Sequence, residues 1–474
     1  MATTQDTDYL VIGAGASGLA FADELFTRTG DDVHITLVDR RDAPGGHWND
    51  VYPFVRLHQP ATFYGVESRE LAHDAIEADG PNAGCLTLSE GPEIVAYFHA
   101  VLREQLLPSG RVTFVPSCDV EHAEGGSATL RHLLSGQRET VRVRRKVVDA
   151  SWHTNAIPRT HTRKYSVAPG IACVPPNDLP LLALRHRRYA VLGGGKTAID
   201  ACLWLLDNGA PADAITWVIP RDSWFFNRAK VQAAMPFFDT LFTSIAEQRE
   251  AMAAARSVDD LALRLEACGA WLRLDAAVAP RICHYATVAE GELALLRSIR
   301  NVVRQGRVRA IEPGCLRMDQ GEVPIATDQT LFIDATASAL TKRPTRPVFE
   351  GDRITLQMIR IPQPTFSAAC IAFVEATMPE LGDDQRNRFA APIPMPDAVV
   401  DFPLGQLIDG MNCFHAARHP GLHAWMLTSR LDGYSPLVAA VDPADAGRVA
   451  LLARVREATK AAMANLPRLA GVAG

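Results

Sequence analysis

Two apolar runs, each closed by a cluster of glycines, set the rhythm of this chain. Residues 9–12 (Tyr-Leu-Val-Ile) and 189–192 (Tyr-Ala-Val-Leu) are continuous apolar stretches of strand length. Stretches without polar alternation predict strands buried on both faces, as in a parallel sheet. Gly13, Gly15 and Gly18 follow the first run, and Gly193, Gly194 and Gly195 follow the second. Apolar positions then recur at helical spacing over 19–26 and 199–206, and further apolar runs stand at 35–39 and 214–219. Strand, glycine turn, helix and strand are thus written twice, which predicts an α/β protein with two such units.

The intervening stretches are less regular. Residues 66–92 read as loop, punctuated by Gly80-Pro81-Asn82, and 93–107 as an amphipathic helix with Ile94, Tyr97, Val101 and Leu102 on one face. A strand is expected over 112–115, a hairpin over 122–146 turning near Ser135-Gly136, and a strand over 146–151. Residues 152–187 are rich in His, Pro and Arg, and Pro169-Gly170 and Pro175-Pro176 suit neither helix nor central strand, so this region reads as a linker. Ala-heavy periodic stretches at 244–256 and 259–272 predict a helical insertion over 231–305. Strands over 308–312 and 329–336 are expected to return the chain to the first unit, followed by an apolar helix over 368–375 and a last helix over 443–464. The expected organisation is a first domain begun by 1–170, interrupted by a second over 180–320 and completed by 325–474.

The glycines add chemistry to this pattern. In GxGxxG the first glycine permits a tight turn, the second lets backbone approach a pyrophosphate, and the third lets helix and strand pack closely. The helix start supplies free N–H groups and a positive dipole end. Asp39 closes the second strand where a ribose would be held, completing a dinucleotide-binding unit of about 30 residues. The second turn has the GxGxxA form, with Ala198, and its second strand ends in Pro220-Arg221-Asp222. A guanidinium holds a 2′-phosphate bidentately, so Arg221 argues for NADPH; Asp222 could instead serve a ribose.

Gly45-Gly46-His47-Trp48 resembles the Gly-Gly-Thr-Trp segment of the flavin-containing and Baeyer–Villiger monooxygenases. Tyr52-Pro53, Arg56-Leu57-His58, Pro60 and Tyr64 resemble the next segment of that superfamily, which binds FAD and NADPH in two nested dinucleotide (Rossmann-like) folds. The resemblance implies an FAD site on Gly13, Gly15, Ser17, Gly18, Asp39, Arg40, Gly46, His47, Trp48, Arg56, His58 and Gln59. Val120 would lie against the adenine, and Phe366 on the late helix that points at the flavin. It also implies an NADPH site on Gly193, Gly195, Lys196, Thr197, Arg221 and Trp224. His58 stands where many Baeyer–Villiger members carry an aspartate that positions an arginine beside the flavin, and Arg281 falls roughly where that arginine is presented. Arg281 and His58 are therefore the candidate catalytic residues. The family's Phe-x-Gly-x-x-x-His-x-x-x-Tyr/Trp fingerprint is absent, and residues 165–170 occupy its place.

The implied activity is monooxygenation of a small organic molecule through a C4a-(hydro)peroxyflavin formed with molecular oxygen, either at nitrogen or sulfur or in Baeyer–Villiger fashion. The missing fingerprint favours an alternative, a flavoprotein oxidase or reductase without a stable peroxyflavin. A third reading is a non-catalytic flavin-binding redox partner.

Bulk composition narrows the setting. With 474 residues, 47% hydrophobic and 22% charged, the chain has globular composition and room for about two or three domains. A net charge of −6 argues against a nucleic-acid partner. The polar, acidic start does not read as a leader, and no apolar run has bilayer-spanning length. Nine scattered cysteines, of which Cys268 and Cys283 are the nearest neighbours in sequence, exclude a CxxC pair and suit reduced thiols in the cytoplasm. His415, His419 and His423 recur every fourth residue, but Pro420-Gly421 breaks the helix that would align them, so no metal is expected. Self-association into a homo-oligomer is compatible with all of this.

Overall fold

The computed structural model describes residues 5–73, 75–153, 155–338 and 343–472. The chain begins with β1 (Gln5–Ile12), α1 (Ala16–Arg28), β2 (Ile35–Val38), β3 (Val112–Val115) and the long β4 (Arg138–Asp149). The second unit contributes β5 (Arg188–Leu192), α2 (Lys196–Asp207), β6 (Ile215–Val218), α3 (Phe238–Ala254), β7 (Asn301–Val303) and β8 (Thr330–Asp334). The chain then continues through β9 (Arg353–Thr355), α4 (Pro364–Thr377), α5 (Phe402–Arg418) and α6 (Ala446–Leu469).

In the first sheet, β1 lies parallel between β2 and β4, with Tyr9 opposite Ile35 and Leu10 opposite Val147. β3 extends the sheet beyond β2, and β9 extends it beyond β4. Helix α1 buries Leu19, Phe21 and Leu25 completely, each worth about 2 kcal/mol of removed apolar surface. It packs on α4, which is buried from Thr365 to Glu375 and therefore lacks a polar face. The expected hairpin is a three-strand meander of Cys118–Glu124, Ser127–His132 and β4. It turns first at Gly125 and Gly126, both at positive φ, and again around Ser135 and Gly136.

The second sheet is wholly parallel, in the order β7, β6, β5, β8 and the short edge strand Cys173–Val174. Here the expected organisation needs correcting. β8 does not return to the first sheet: Phe332 pairs with Ala190 and Ile333 with Val191. The run reads as a buried strand in either place, and only long-range pairing assigns it to a sheet. The strand that pairs with β4 in the first sheet is β9 instead, with Phe349–Glu350 antiparallel beyond it. Val308–Glu312 likewise joins a small sheet with Cys315–Met318, Gly321–Pro324 and Ser166–Val167, so the linker adds edge strands to the second unit.

Helix α3, Val258–Ala267 and Glu290–Leu296 form the helical part of the insertion, with short strands Trp271–Leu272 and Thr287–Val288 between the last two. Phe238, Leu241 and Phe242 of α3 pack with Leu451, Leu452 and Val455 of α6, so the C-terminal helix lies along the insertion. No helix among the described residues is long and apolar enough to cross a membrane.

Candidate functional site

The first glycine turn is built by close backbone contact. Gly13 adopts φ +105°, and its N–H donates to the Val38 carbonyl at 2.7 Å. A side chain on Gly18 would overlap the Gly13 carbonyl oxygen. The turn leads into α1, whose start no side chain caps, so its first-turn N–H groups, including that of Ser17, are free for an anion. The Gly45-Gly46 loop lies over this turn. Gly45 N–H donates to the Ala14 carbonyl at 2.9 Å, and a Cβ on Gly46 (φ +59°) would come within 2.9 Å of Gly15 Cα. The buried Asp39 carboxylate accepts from Ala14 N–H at 2.7 Å and Arg41 N–H at 2.8 Å, one on each oxygen. A second lone pair on each oxygen is left for a ribose hydroxyl.

Beyond the turn, Trp48 is buried, with its Nε1–H donating to the Tyr64 hydroxyl at 2.8 Å. The His47 ring stacks on Trp48 at 5.2 Å, and burial, followed by the Arg41 charge, pushes its pKa down to about 4. Arg56 pairs with Glu77 at 2.9 Å, and Gln59 donates to the Phe63 carbonyl at 3.3 Å. Arg40 is exposed beside Asp119 at 3.5 Å, and Val120 is half-buried opposite Leu130. Phe366 stacks on Trp425 at 5.6 Å in the first turn of α4. That helix start also lacks a side-chain cap, and Gln363 Oε1 and Thr365 Oγ1 are buried there without hydrogen-bond partners. Buried polar atoms normally find partners. Two uncapped helix starts, an acid placed for a ribose and two unpartnered oxygens fit a dinucleotide with an anionic centre and a polar ring.

The second turn repeats the design. A side chain on Gly193 (φ +132°) would overlap the Ala335 carbonyl oxygen, and one on Gly194 would lie 3.1 Å from the Arg221 carbonyl. Gly195 faces open space, and no side chain caps α2. The first turn of α2 meets the first domain. Lys196 Nζ bonds Asp200, whose Oδ2 accepts from the Tyr52 hydroxyl at 2.6 Å. Phe54 stacks on Trp204 at 5.4 Å, and Asn177 donates to the carbonyls of Asp50 and Val51. The second turn and helix therefore press against the loop that follows Gly46-His47-Trp48.

Between the two units lies a buried ionic cluster that sequence patterns did not single out. Arg228 is 1% exposed; it donates to the His58 carbonyl at 3.1 Å, the Thr287 carbonyl at 3.3 Å and Glu292 Oε2 at 3.3 Å. Glu292 also accepts from Ala289 N–H at 2.8 Å and Asn82 at 3.2 Å. Burial pushes the Glu292 pKa up, but the Arg228 and Lys196 charges outweigh it and hold the carboxyl below its ordinary range. Burial, then Lys196 and Arg228, drive His58 well below the usual histidine value, so its ring is neutral. A cation one residue beyond the apolar Trp224-Phe225-Phe226 run, after Asn227, was the available signal.

Other expected residues sit elsewhere. Arg281 is exposed, with its backbone tied to Asp222 and Val399, because bridges from Ile282 to Ser223 and Ala398 turn Ile282 inward and its neighbour outward. The arginine that meets His58 is Arg228. Trp224 is buried against Trp271 at 5.6 Å, under the Arg273 guanidinium, and is part of the aromatic core rather than the turn. Arg221 is exposed, and Asp222 is engaged by Arg304 at 3.0 Å. His419 Nδ1 accepts from Leu422 N–H at the start of helix Pro420–Thr428, so the three histidines are divided between two helices.

An NAD(P)-binding Rossmann-like domain family matches residues 11–64. Uncharacterized proteins of Mycobacterium tuberculosis (strain H37Rv) and Mycobacterium bovis are each 44% identical over 431 residues, covering 91% of this chain and 78% of theirs. The polycyclic ketone monooxygenase of the thermophilic fungus Thermothelomyces thermophila aligns over 99% of this chain and 89% of that chain, with a TM-score of 0.50 at 14% identity, a likeness of fold. The chain belongs to one family with these mycobacterial proteins.

Proposed function

We propose that this protein is a flavin-dependent monooxygenase that takes electrons from NADPH through FAD and oxygenates a small organic substrate with molecular oxygen. One observation carries the reading. The first turns of α2 are tied through Asp200 to the hydroxyl of Tyr52, in the loop that follows Gly46-His47-Trp48, and Gly45-Gly46 lie over the first glycine turn. Electron transfer between two bound cofactors needs this juxtaposition.

In this reading Gly13, Gly15, Ser17, Gly18 and Gly46 hold the FAD pyrophosphate, and Asp39 holds a ribose, with Arg40 and Val120 toward the adenine. His47, Trp48, Arg56, His58, Gln59 and Phe366 surround the ring end. Gly193, Gly195, Lys196 and Thr197 hold the NADPH pyrophosphate, and Arg221 its 2′-phosphate. Bound flavin supplies hydride acceptance and oxygen activation. The chain supplies the frame: Arg228, its charge balanced by Glu292, anchors the His58 backbone through that carbonyl, and the neutral His58 ring adds no charge there.

The test is anaerobic rapid mixing of purified protein with NADPH, followed by mixing with oxygenated buffer. Bleaching of a flavin spectrum, a transient before the oxidised spectrum returns, and product formed in proportion to NADPH consumed are expected. Direct return with one hydrogen peroxide released per NADPH would assign an oxidase instead. Absence of bleaching by either nicotinamide would refute the role of the second turn.

A further inference from the structure

Arg221 leaves the second strand of the nucleotide unit with its carbonyl packed against Gly194, so it stands beside the turn that receives the coenzyme. Its guanidinium is nevertheless occupied. Nη1 and Nη2 each lie 3.3 Å from a different oxygen of Asp397, a residue that comes from far along the chain. The same carboxylate has His284 Nε2 at 3.0 Å on Oδ1. The Asp397 backbone is fixed independently. Cys283 N–H donates to its carbonyl at 3.4 Å, its own N–H donates to Asp401 at 2.9 Å, and Val399 N–H donates to the Arg281 carbonyl at 3.0 Å. The Asp397 side chain can therefore rotate without moving the chain. The neighbouring acid, Asp222, is held by Arg304 and does not compete for the fork.

A carboxylate seated bidentately on a guanidinium occupies the geometry that a phosphate monoester would use. We propose that Asp397 sets coenzyme selectivity by acting as an internal competitor for the Arg221 fork, which a nucleotide 2′-phosphate must displace toward His284. This rests on the reading of Arg221 as the 2′-phosphate residue. Both partners are substantially exposed, with side-chain accessibilities of 45% and 26%, so the pair is a weak lock. Exposed pairs of this kind are worth up to about 1 kcal/mol, which sets an effect of about fivefold in affinity. A ligand with a free 2′-hydroxyl does not need the fork and should be indifferent to Asp397.

The experiment titrates the full-length protein calorimetrically with 2′,5′-ADP and, separately, with 5′-ADP. Asp397→Asn and Asp397→Ser should each bind 2′,5′-ADP about fivefold more tightly than the parent, with 5′-ADP unchanged. Arg221→Ala should abolish the preference for 2′,5′-ADP. If the Asp397 variants bind 2′,5′-ADP equally or more weakly while Arg221→Ala still abolishes the preference, Asp397 is a support for Arg221 and the competitor role is wrong. If Arg221→Ala leaves both affinities unchanged, the 2′-phosphate site itself is misplaced, and the inference falls with it.

Discussion

Gly18 and Gly195 belong to equivalent motifs, yet their surroundings give them opposite duties. A methyl group on Gly18 would overlap the Gly13 carbonyl oxygen, whereas one on Gly195 would meet no protein atom within 4 Å. Gly18 is thus required by the protein's own packing, and Gly195 by nothing the protein itself contains. Gly18→Ala should destabilise by about 2 kcal/mol or more and yield protein depleted in flavin, measured by thermal unfolding and visible absorbance. Gly195→Ala should change stability by less than about 0.5 kcal/mol. It should still weaken nicotinamide nucleotide binding about tenfold or more, because a pyrophosphate needs the backbone surface that a methyl group covers. A drop in stability with undiminished nucleotide affinity would show that Gly195 serves the fold instead. The motif assigns pyrophosphate approach to its second glycine and packing to its third; the structure adds the carbonyl against which Gly18 packs and the open space that Gly195 faces.

Helix α1 carries an element-scale conflict, because its core-facing side includes acids. Asp23 and Glu24 are buried, and Glu24 pairs through one oxygen with Arg28 at 2.7 Å while its Oε2 has no partner. Burial pushes the Glu24 pKa from an ordinary 4.5 to about 7, overriding Arg28, and it pushes Asp23 and Glu67 upward as well. A raised carboxyl pKa means that the native state holds a proton which the unfolded chain releases. Its stabilising share is complete below the unfolded value near 4.5 and is lost as pH climbs through about 7. Glu24→Gln should therefore be more stable than the parent at pH 8, by about 2 to 3 kcal/mol. The gap should close on acidification to about pH 4.5, as followed by denaturant unfolding across pH. A gap that stays constant with pH would mean that Glu24 is charged in the native state throughout. An amphipathic reading of α1 gave the helix but not this burial, because Ser68, far along the chain, covers Asp23 with two hydrogen bonds while α4 packs along the helix.

At the scale of the molecule, a mixed sheet and a parallel sheet are joined by hydrogen bonds and the Phe54–Trp204 stack, and the buried Arg228–Glu292 pair lies within that seam. Removing one partner of a buried pair strands the other, at a cost of about 3 kcal/mol or more. Arg228→Ala should lose about that much stability to urea, and the Arg228→Ala/Glu292→Gln double variant should recover more than half of it. If the double variant is no better than the single one, His58 and Thr287 rather than Glu292 are the partners that matter.

The sequence by itself determined the local units: two glycine turns, their flanking strands and helices, Asp39 after β2, Arg221 after β6, and the aromatic Gly46-His47-Trp48 loop. These are legible because a turn, a strand period and a helix start are set by residues adjacent in the chain. Tertiary structure alone decided that β8 pairs with β5 in the second sheet and β9 with β4 in the first, since the residues within a strand do not name its partner. It also decided that Arg228, rather than Arg281, reaches His58, and that Asp397 sits on Arg221. Such choices are made by pairing, burial and charge between segments far apart in the chain, and no local pattern encodes them.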